Sequence, residues 1–162
     1  AETMITRYEG DLDRARILLD SWLTHSPATV SDPTAHFEDG FLAVEQARLD
    51  HAQRSLEELH QTVSTTARPH QTARLLELAA AIRAAGGERE AAAELLGTAD
   101  AVRTEAEAHP STPERQDINR IHSLVEAHLS TEQISQRFSR GSQSDPVTQL
   151  AAIMPTFSVE AR

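Results

Sequence analysis

Leu75-Leu76-Glu77-Leu78-Ala79-Ala80-Ala81-Ile82-Arg83-Ala84-Ala85-Gly86-Gly87-Glu88-Arg89-Glu90-Ala91-Ala92-Ala93-Glu94-Leu95-Leu96 is the stretch whose reading decides the fold. Leu75, Leu76, Ala79 and Ile82 recur at helical spacing, and Ala92, Leu95, Leu96, Ala99 and Val102 form a second stripe. Gly86-Gly87 separates the two. Glycine enters the left-handed backbone that ends a helix without a Cβ penalty, so the pattern spells a helix, a tight turn and a second helix running back.

Two earlier stretches follow the same plan. Leu12, Ala15, Leu19, Trp22 and Leu23 mark a helix that Pro27 ends, with Gly10 breaking the chain before it and Thr3 to Glu9, carrying Ile5 and Tyr8, as its antiparallel partner. Phe37, Phe41, Val44 and Ala47 line the next helix; a turn near Leu49 and Asp50 leads into Ala52, Leu56, Leu59 and Val63. The pairs cover about residues 1–25, 33–63 and 69–107. Ala15, Ala52 and Ala92 occupy the matching place after each turn, where a minimal side chain lets the second helix approach the first. Their separations exceed somewhat the ~34 residues of a tetratricopeptide repeat. The expected fold is all-α: tetratricopeptide-like antiparallel pairs stacked as a short solenoid, because no pair can bury its apolar face alone.

Beyond His109-Pro110 three shorter helices are expected over about 112–154, capping the open end of the stack. Thr112 before Pro113 fits a helix start, and Ser111-x-x-Glu114 an overlapping capping box; Ile118, Ile121, Val125 and Leu129 form the stripe. Ser130-x-x-Gln133 opens the next helix, with Ile134 and Phe138 one turn apart and Gly141 as its stop. Asp145-Pro146 starts the last, with Val147, Leu150 and Ile153, closed by Pro155. Residues 155–162 read as a tail, and 1–154 as a single domain.

Composition narrows the function. Net charge is −10, with acids spread along the chain, a surface that repels phosphates and argues against direct nucleic-acid contact. All 15 basic residues are Arg, which points to a GC-rich genome. There is no cysteine, so disulfides, thiolate zinc sites and a cysteine nucleophile are excluded. Neither a signal peptide nor a long apolar run occurs, and the chain reads as cytoplasmic, without membrane contact. The amphipathic opening Ala1-Glu2-Thr3-Met4 suggests a piece of a longer protein.

No constellation points to chemistry. The histidines at 25, 36, 51, 60, 70, 109, 122 and 128 never fall three or four apart on one helix, so no metal site is expected. His60 and His128 suit the edge of a core, and His25, His70 and His109 helix ends or loops. Glu57-Glu58, Glu38-Asp39 and Glu105 with Glu107 read as solvated faces rather than acid/base pairs, which need a desolvated pocket. No Gly-x-Ser-x-Gly elbow is present, and Gly86-Gly87 lacks the lysine of a phosphate loop. Arg14 with Arg16, Arg74 with Arg83 and Arg137 with Arg140 read as surface arginines paired with nearby glutamates. Trp22 shares the phase of Leu12, Ala15 and Leu19 and belongs in the core. Neither catalytic residues nor a cofactor site are expected, and partner-binding residues cannot be singled out.

Residues 88–103, Glu-Arg-Glu-Ala-Ala-Ala-Glu-Leu-Leu-Gly-Thr-Ala-Asp-Ala-Val-Arg, then Pro110, Pro113-Glu114-Arg115, Ile134, Phe138 and Gly141, resemble the C-terminal repeat region of large bacterial ATPase-type transcriptional regulators. That family includes LuxR-type regulators and antibiotic-pathway activators, abundant in actinobacteria. Its marks are Leu-Leu-Gly-x-Ala-x-Ala-x-Arg, Pro-x-Glu-Arg opening the next helix, and an aromatic-x3-aromatic-x2-Gly ending. Ile134 stands where the family commonly has Phe, and Phe138 where it has Trp. The resemblance is strongest over 86–154 and includes none of the family's nucleotide- or DNA-binding motifs. It implies a non-catalytic regulatory arm that senses a protein partner or a small effector and restrains the rest of its own chain. A free-standing scaffold that binds peptides is the alternative.

Overall fold

A computed structural model describes residues 2–25, 33–63 and 68–154. The described residues form nine helices and no strand: α1 (Glu2–Tyr8), α2 (Leu12–His25), α3 (Thr34–Glu45), α4 (Leu49–Val63), α5 (Pro69–Ala85), α6 (Arg89–Glu105), α7 (Thr112–Glu126), α8 (Thr131–Ser142) and α9 (Pro146–Ile153). Among them no helix is long and apolar enough to cross a membrane. The expected helix ends at Pro27 and Pro155 and the 155–162 tail lie outside the described residues.

One turn design recurs. Gly10, Ala47, Gly87 and Glu107 have φ of 86°, 57°, 91° and 52°. In each case the next residue's N–H reaches back five residues, Asp11 to Thr6, Arg48 to Ala43, Glu88 to Arg83 and Ala108 to Arg103. This satisfies the carbonyls orphaned at a helix end. The first three turns join α1 to α2, α3 to α4 and α5 to α6. They fall at 10, 47 and 87, in step with the alanines at 15, 52 and 92, all 0% exposed. The second turn was misplaced in the sequence: Leu49 and Asp50 are the first residues of α4, and Ala47 is no helical stripe residue but holds the left-handed position. Nothing in an Ala side chain announces positive φ, so the glycine signal was missing there.

The helices assemble around two apolar clusters. Ala15 and Leu19 of α2 meet Ala35 and Leu42 of α3, with Leu12, Trp22 and Leu23 against them. A larger cluster joins α3 through α7 and Leu150 of α9, with Ile134 and Phe138 of α8 half-buried on it. Between pairs, the odd-numbered helices touch in succession, α1 to α3, α3 to α5 and α5 to α7.

Past α6 the arrangement changes. α8 lies along α6 and barely touches α7, while α7 and α9 each rest on α5 and α6. The α6–α8 crossing is close because Gly97 faces the backbone of Phe138 and Gly141 faces that of Glu94. Gly141 is therefore a packing residue inside α8, not its stop. Ser111 rather than Thr112 caps α7, its N–H donating to Glu114 at 2.8 Å. Ser130 and Gln133 exchange the bonds of a capping box, and Asp145 accepts from Thr148 N–H at 2.8 Å. Val147 points outward, 73% exposed, while Leu150 enters the core.

Candidate interaction site around a buried arginine network

The odd-numbered helices carry charge through their shared interior. Arg7, near the end of α1, is 0% exposed and all three of its guanidinium nitrogens are bonded. Nε and Nη2 donate to the two oxygens of Glu38 at 3.1 and 3.0 Å, and Nη1 and Nη2 to those of Asp117 at 2.8 and 3.2 Å. Nη1 also reaches Glu45 at 2.7 Å, and Nη2 the Tyr8 hydroxyl at 2.9 Å. Tyr8 in turn donates to the Pro113 carbonyl at 3.0 Å. Helices α1, α3 and α7 thus meet on one planar cation, whose fork suits paired carboxylates.

Arg74 on α5 continues the chain, donating to Asp117 at 3.0 Å and Glu77 at 3.1 Å, with its guanidinium 4.3 Å from the Phe41 ring centre. Glu77 accepts from Arg103 Nε at 2.6 Å and Nη2 at 3.1 Å, and Arg103 also donates to the Ala108 carbonyl at the end of α6. Glu114 closes the far end beside His70 Nε2 at 2.7 Å and Arg74 at 3.5 Å. Arg120 at the rim pairs with Glu45.

Charges taken out of water are tolerated only when paired and hydrogen-bonded, a condition met here residue by residue. Burial would raise Glu114, but the Ser111 N–H and the cations Arg74, His70 and Arg103 hold it below the usual carboxylate range. For Arg7 burial favours the neutral form, and Asp117 and Glu38 outweigh it, raising an already permanent charge. Tyr8 is pushed up by burial, so its hydroxyl stays protonated. The five acids Glu38, Glu45, Glu77, Glu114 and Asp117 face four arginines, 7, 74, 103 and 120, with the His70 ring beside Glu114.

Grooves open on both sides. One of about 480 Å³ is lined by Met4, Phe37, Glu38, His70, Arg74 and Glu114. Another of about 690 Å³ runs past Phe41, Val44, Glu45, Asp117, Ile121 and Leu124. Arg7 bonds carboxylates of both linings, Glu38 in the first and Glu45 and Asp117 in the second. A third groove, of about 370 Å³, lies against Leu96, Arg103, Arg115 and Phe138.

Several readings of charged residues change. Glu38 and Asp39 are buried, not on a solvated face, and Arg74, 3% exposed, is no surface arginine. Asp39 binds Arg16, His51 Nε2 at 2.8 Å and Ser55 Oγ at 3.0 Å. Burial would raise its carboxyl, and the Arg16 and His51 bonds hold it below the usual range. Aspartate, histidine and serine meet here without forming a relay, because Ser55 donates to the carboxylate and its own helix rather than to the imidazole. Glu58, Glu105 and Glu107 are exposed as expected, and Glu57 accepts from Gln53. Arg83 pairs with Glu88, while Arg137 and Arg140 converge on Glu94 and tie α8 to α6. Trp22 is half-buried against the smaller cluster. His60 is half-buried, whereas His128 is exposed rather than at a core edge. Among the described residues no three metal-binding side chains gather.

The sequence did hold a signal for this site. Glu77 interrupts Leu75-Leu76 and Leu78-Ala79. A charge embedded in a run that is apolar on every side of the helix is buried and requires a partner. Comparison of the chain with protein-family models, curated proteins and solved structures matches none of them.

Proposed function

We propose that this chain is a tetratricopeptide-like interaction and sensing arm of a multidomain bacterial transcriptional regulator, working by binding rather than catalysis. The observation that carries it is the face built by α1, α3, α5 and α7, where a bonded ionic network is flanked by two grooves. Successive helix pairs with matching turns support the repeat reading, and concave repeat faces are recognition surfaces. The likeness of 88–103 and of Pro113-Glu114-Arg115 to the regulators' repeat region supports the context. In this structure those segments bear on one another directly, Arg103 lying 3.9 Å from Glu114.

Binding is favoured over catalysis because the buried charged groups are bonded to one another. Asp39 and Glu114 are held ionised, the opposite of a general acid, and Ser55 has no imidazole to take its proton.

The deciding observation is the parent reading frame, where a nucleotide-binding module and a DNA-binding domain on the same polypeptide are expected. A frame with neither rejects the regulator context. In the full-length regulator, substitution of Leu124 and Val44 in the larger groove by Asp should alter transcriptional output without changing protein level; unchanged output removes this face as the sensing surface.

A further inference from the structure

Among the described residues, neither apolar cluster takes in a side chain of α1. Ile5, its large aliphatic residue, is 58% exposed, and a helix of 7 residues is marginal by itself. Thr3 and Thr6 of α1 are buried, and Arg7 and Tyr8 bond it to the body, reaching Glu38 and Glu45 on α3 and Asp117 and Pro113 on α7. An element held by charge is one that another charge of the same shape can replace. Its guanidinium also bonds Glu38, which lines one groove, and Glu45 and Asp117, which line the other.

Without α1, Glu38, Glu45 and Asp117 would face, among the described residues, Arg74 and Arg120 alone, leaving buried carboxylate charge that needs a cation. Two of those carboxylates are arranged for two-point bonding, which a planar guanidinium matches and an ammonium does not. The Phe41 ring beside the seat favours the same group, and the adjoining groove offers Val44, Ile121 and Leu124 to apolar neighbours of the arginine.

We infer that α1 is an intramolecular plug, and that its seat is the docking site for a partner protein segment carrying an arginine flanked by apolar residues. Displacement of Arg7 by the incoming guanidinium joins the two grooves into one and couples partner binding to release of α1. The plug presupposes that the odd-helix face is an interaction surface, as proposed above. The parent reading frame decides that proposal and peptide binding decides the plug, so each can fail without the other.

The test uses the full chain and a fluorescein-labelled peptide of residues 2–10, Glu-Thr-Met-Ile-Thr-Arg-Tyr-Glu-Gly, followed by anisotropy. Arg7→Ala should bind the peptide about tenfold or more tightly than the native chain, whose seat is filled, and a peptide with Ala for its arginine should not bind. Ethylguanidinium should raise the melting temperature of Arg7→Ala above that in equal ethylammonium. Absence of peptide binding to folded Arg7→Ala, or binding that ignores the peptide's arginine, overturns the plug. If Arg7→Ala loses its helical circular dichroism, Arg7→Lys takes its place with the same two outcomes for the peptide.

Discussion

Arg7 and Asp117, separated by 110 residues in sequence, share two hydrogen bonds at 2.8 and 3.2 Å with neither side chain more than 1% exposed. Asp117 also accepts from Arg74, so a single carboxylate on α7 gathers cations from the first helix and from the third pair. The first helix is thereby tied to α5 and α7 through one side chain.

Asp117→Ala should therefore destabilise the domain by ~3–5 kcal/mol, the cost of leaving a buried charge without its partner. Urea denaturation followed by circular dichroism reads it. A change below about 1 kcal/mol, the size typical of a solvated pair, would show that Arg7 and Arg74 are reached by water.

Gly97→Ala tests the α6–α8 crossing. A Cβ at Gly97 meets the backbone of Phe138, which cannot rotate aside as a side chain can. The two helices must part, at a cost of at least ~1–3 kcal/mol. Thermal melting should show the loss, accompanied by faster hydrogen exchange in α8; an unchanged melting temperature means that the crossing is looser than described.

Leu96 is 3% exposed in the larger cluster, on the helix to which α7, α8 and α9 attach. Leu96→Ala opens a cavity there and should cost ~2–5 kcal/mol. Chemical denaturation of the variant measures it, and a loss under 1 kcal/mol is incompatible with a filled core at this position.

Acid should unfold the domain through named groups. Asp39 and Glu114 lie below their ordinary values of 3.8 and 4.5, so in that window the unfolded chain binds more protons than the folded one. Their contribution is fully present above about pH 4.5 and is lost as pH falls through the lowered folded values. Stability measured at fixed urea should be level down to that point and decline below it. Asp39→Asn with Glu114→Gln should blunt the decline; an unaltered acid limb assigns it to other carboxylates.

The helix pairs were legible because Ala, Leu and Gly speak through period and backbone freedom, both local properties. Gly86-Gly87 marks its turn, and Ala52 through Val63 its buried stripe. Ala47 and Glu107 hide their turns, since φ there is imposed by the hydrogen bonds closing the helix end rather than by the side chain. The ionic network was missed for a different reason. Arg7, Glu38, Arg74 and Asp117 lie far apart in sequence, and a charge on a helix reads as solvated until the helix opposite is known. Glu77 is the exception, surrounded within its own helix by Leu and Ala. The docking of α8 on α6 depends likewise on Gly97 and Gly141 meeting across the crossing, a relation no single helix displays.

Because every basic residue of the chain is arginine, trypsin has no other side chain at which to cut. Arg7, Arg74 and Arg103 are at most 6% exposed, which places three cleavage sites out of the protease's reach while the helices stay together. Scission at those three bonds, set against scission at exposed Arg14 or Arg115, makes the polypeptide its own clock for opening.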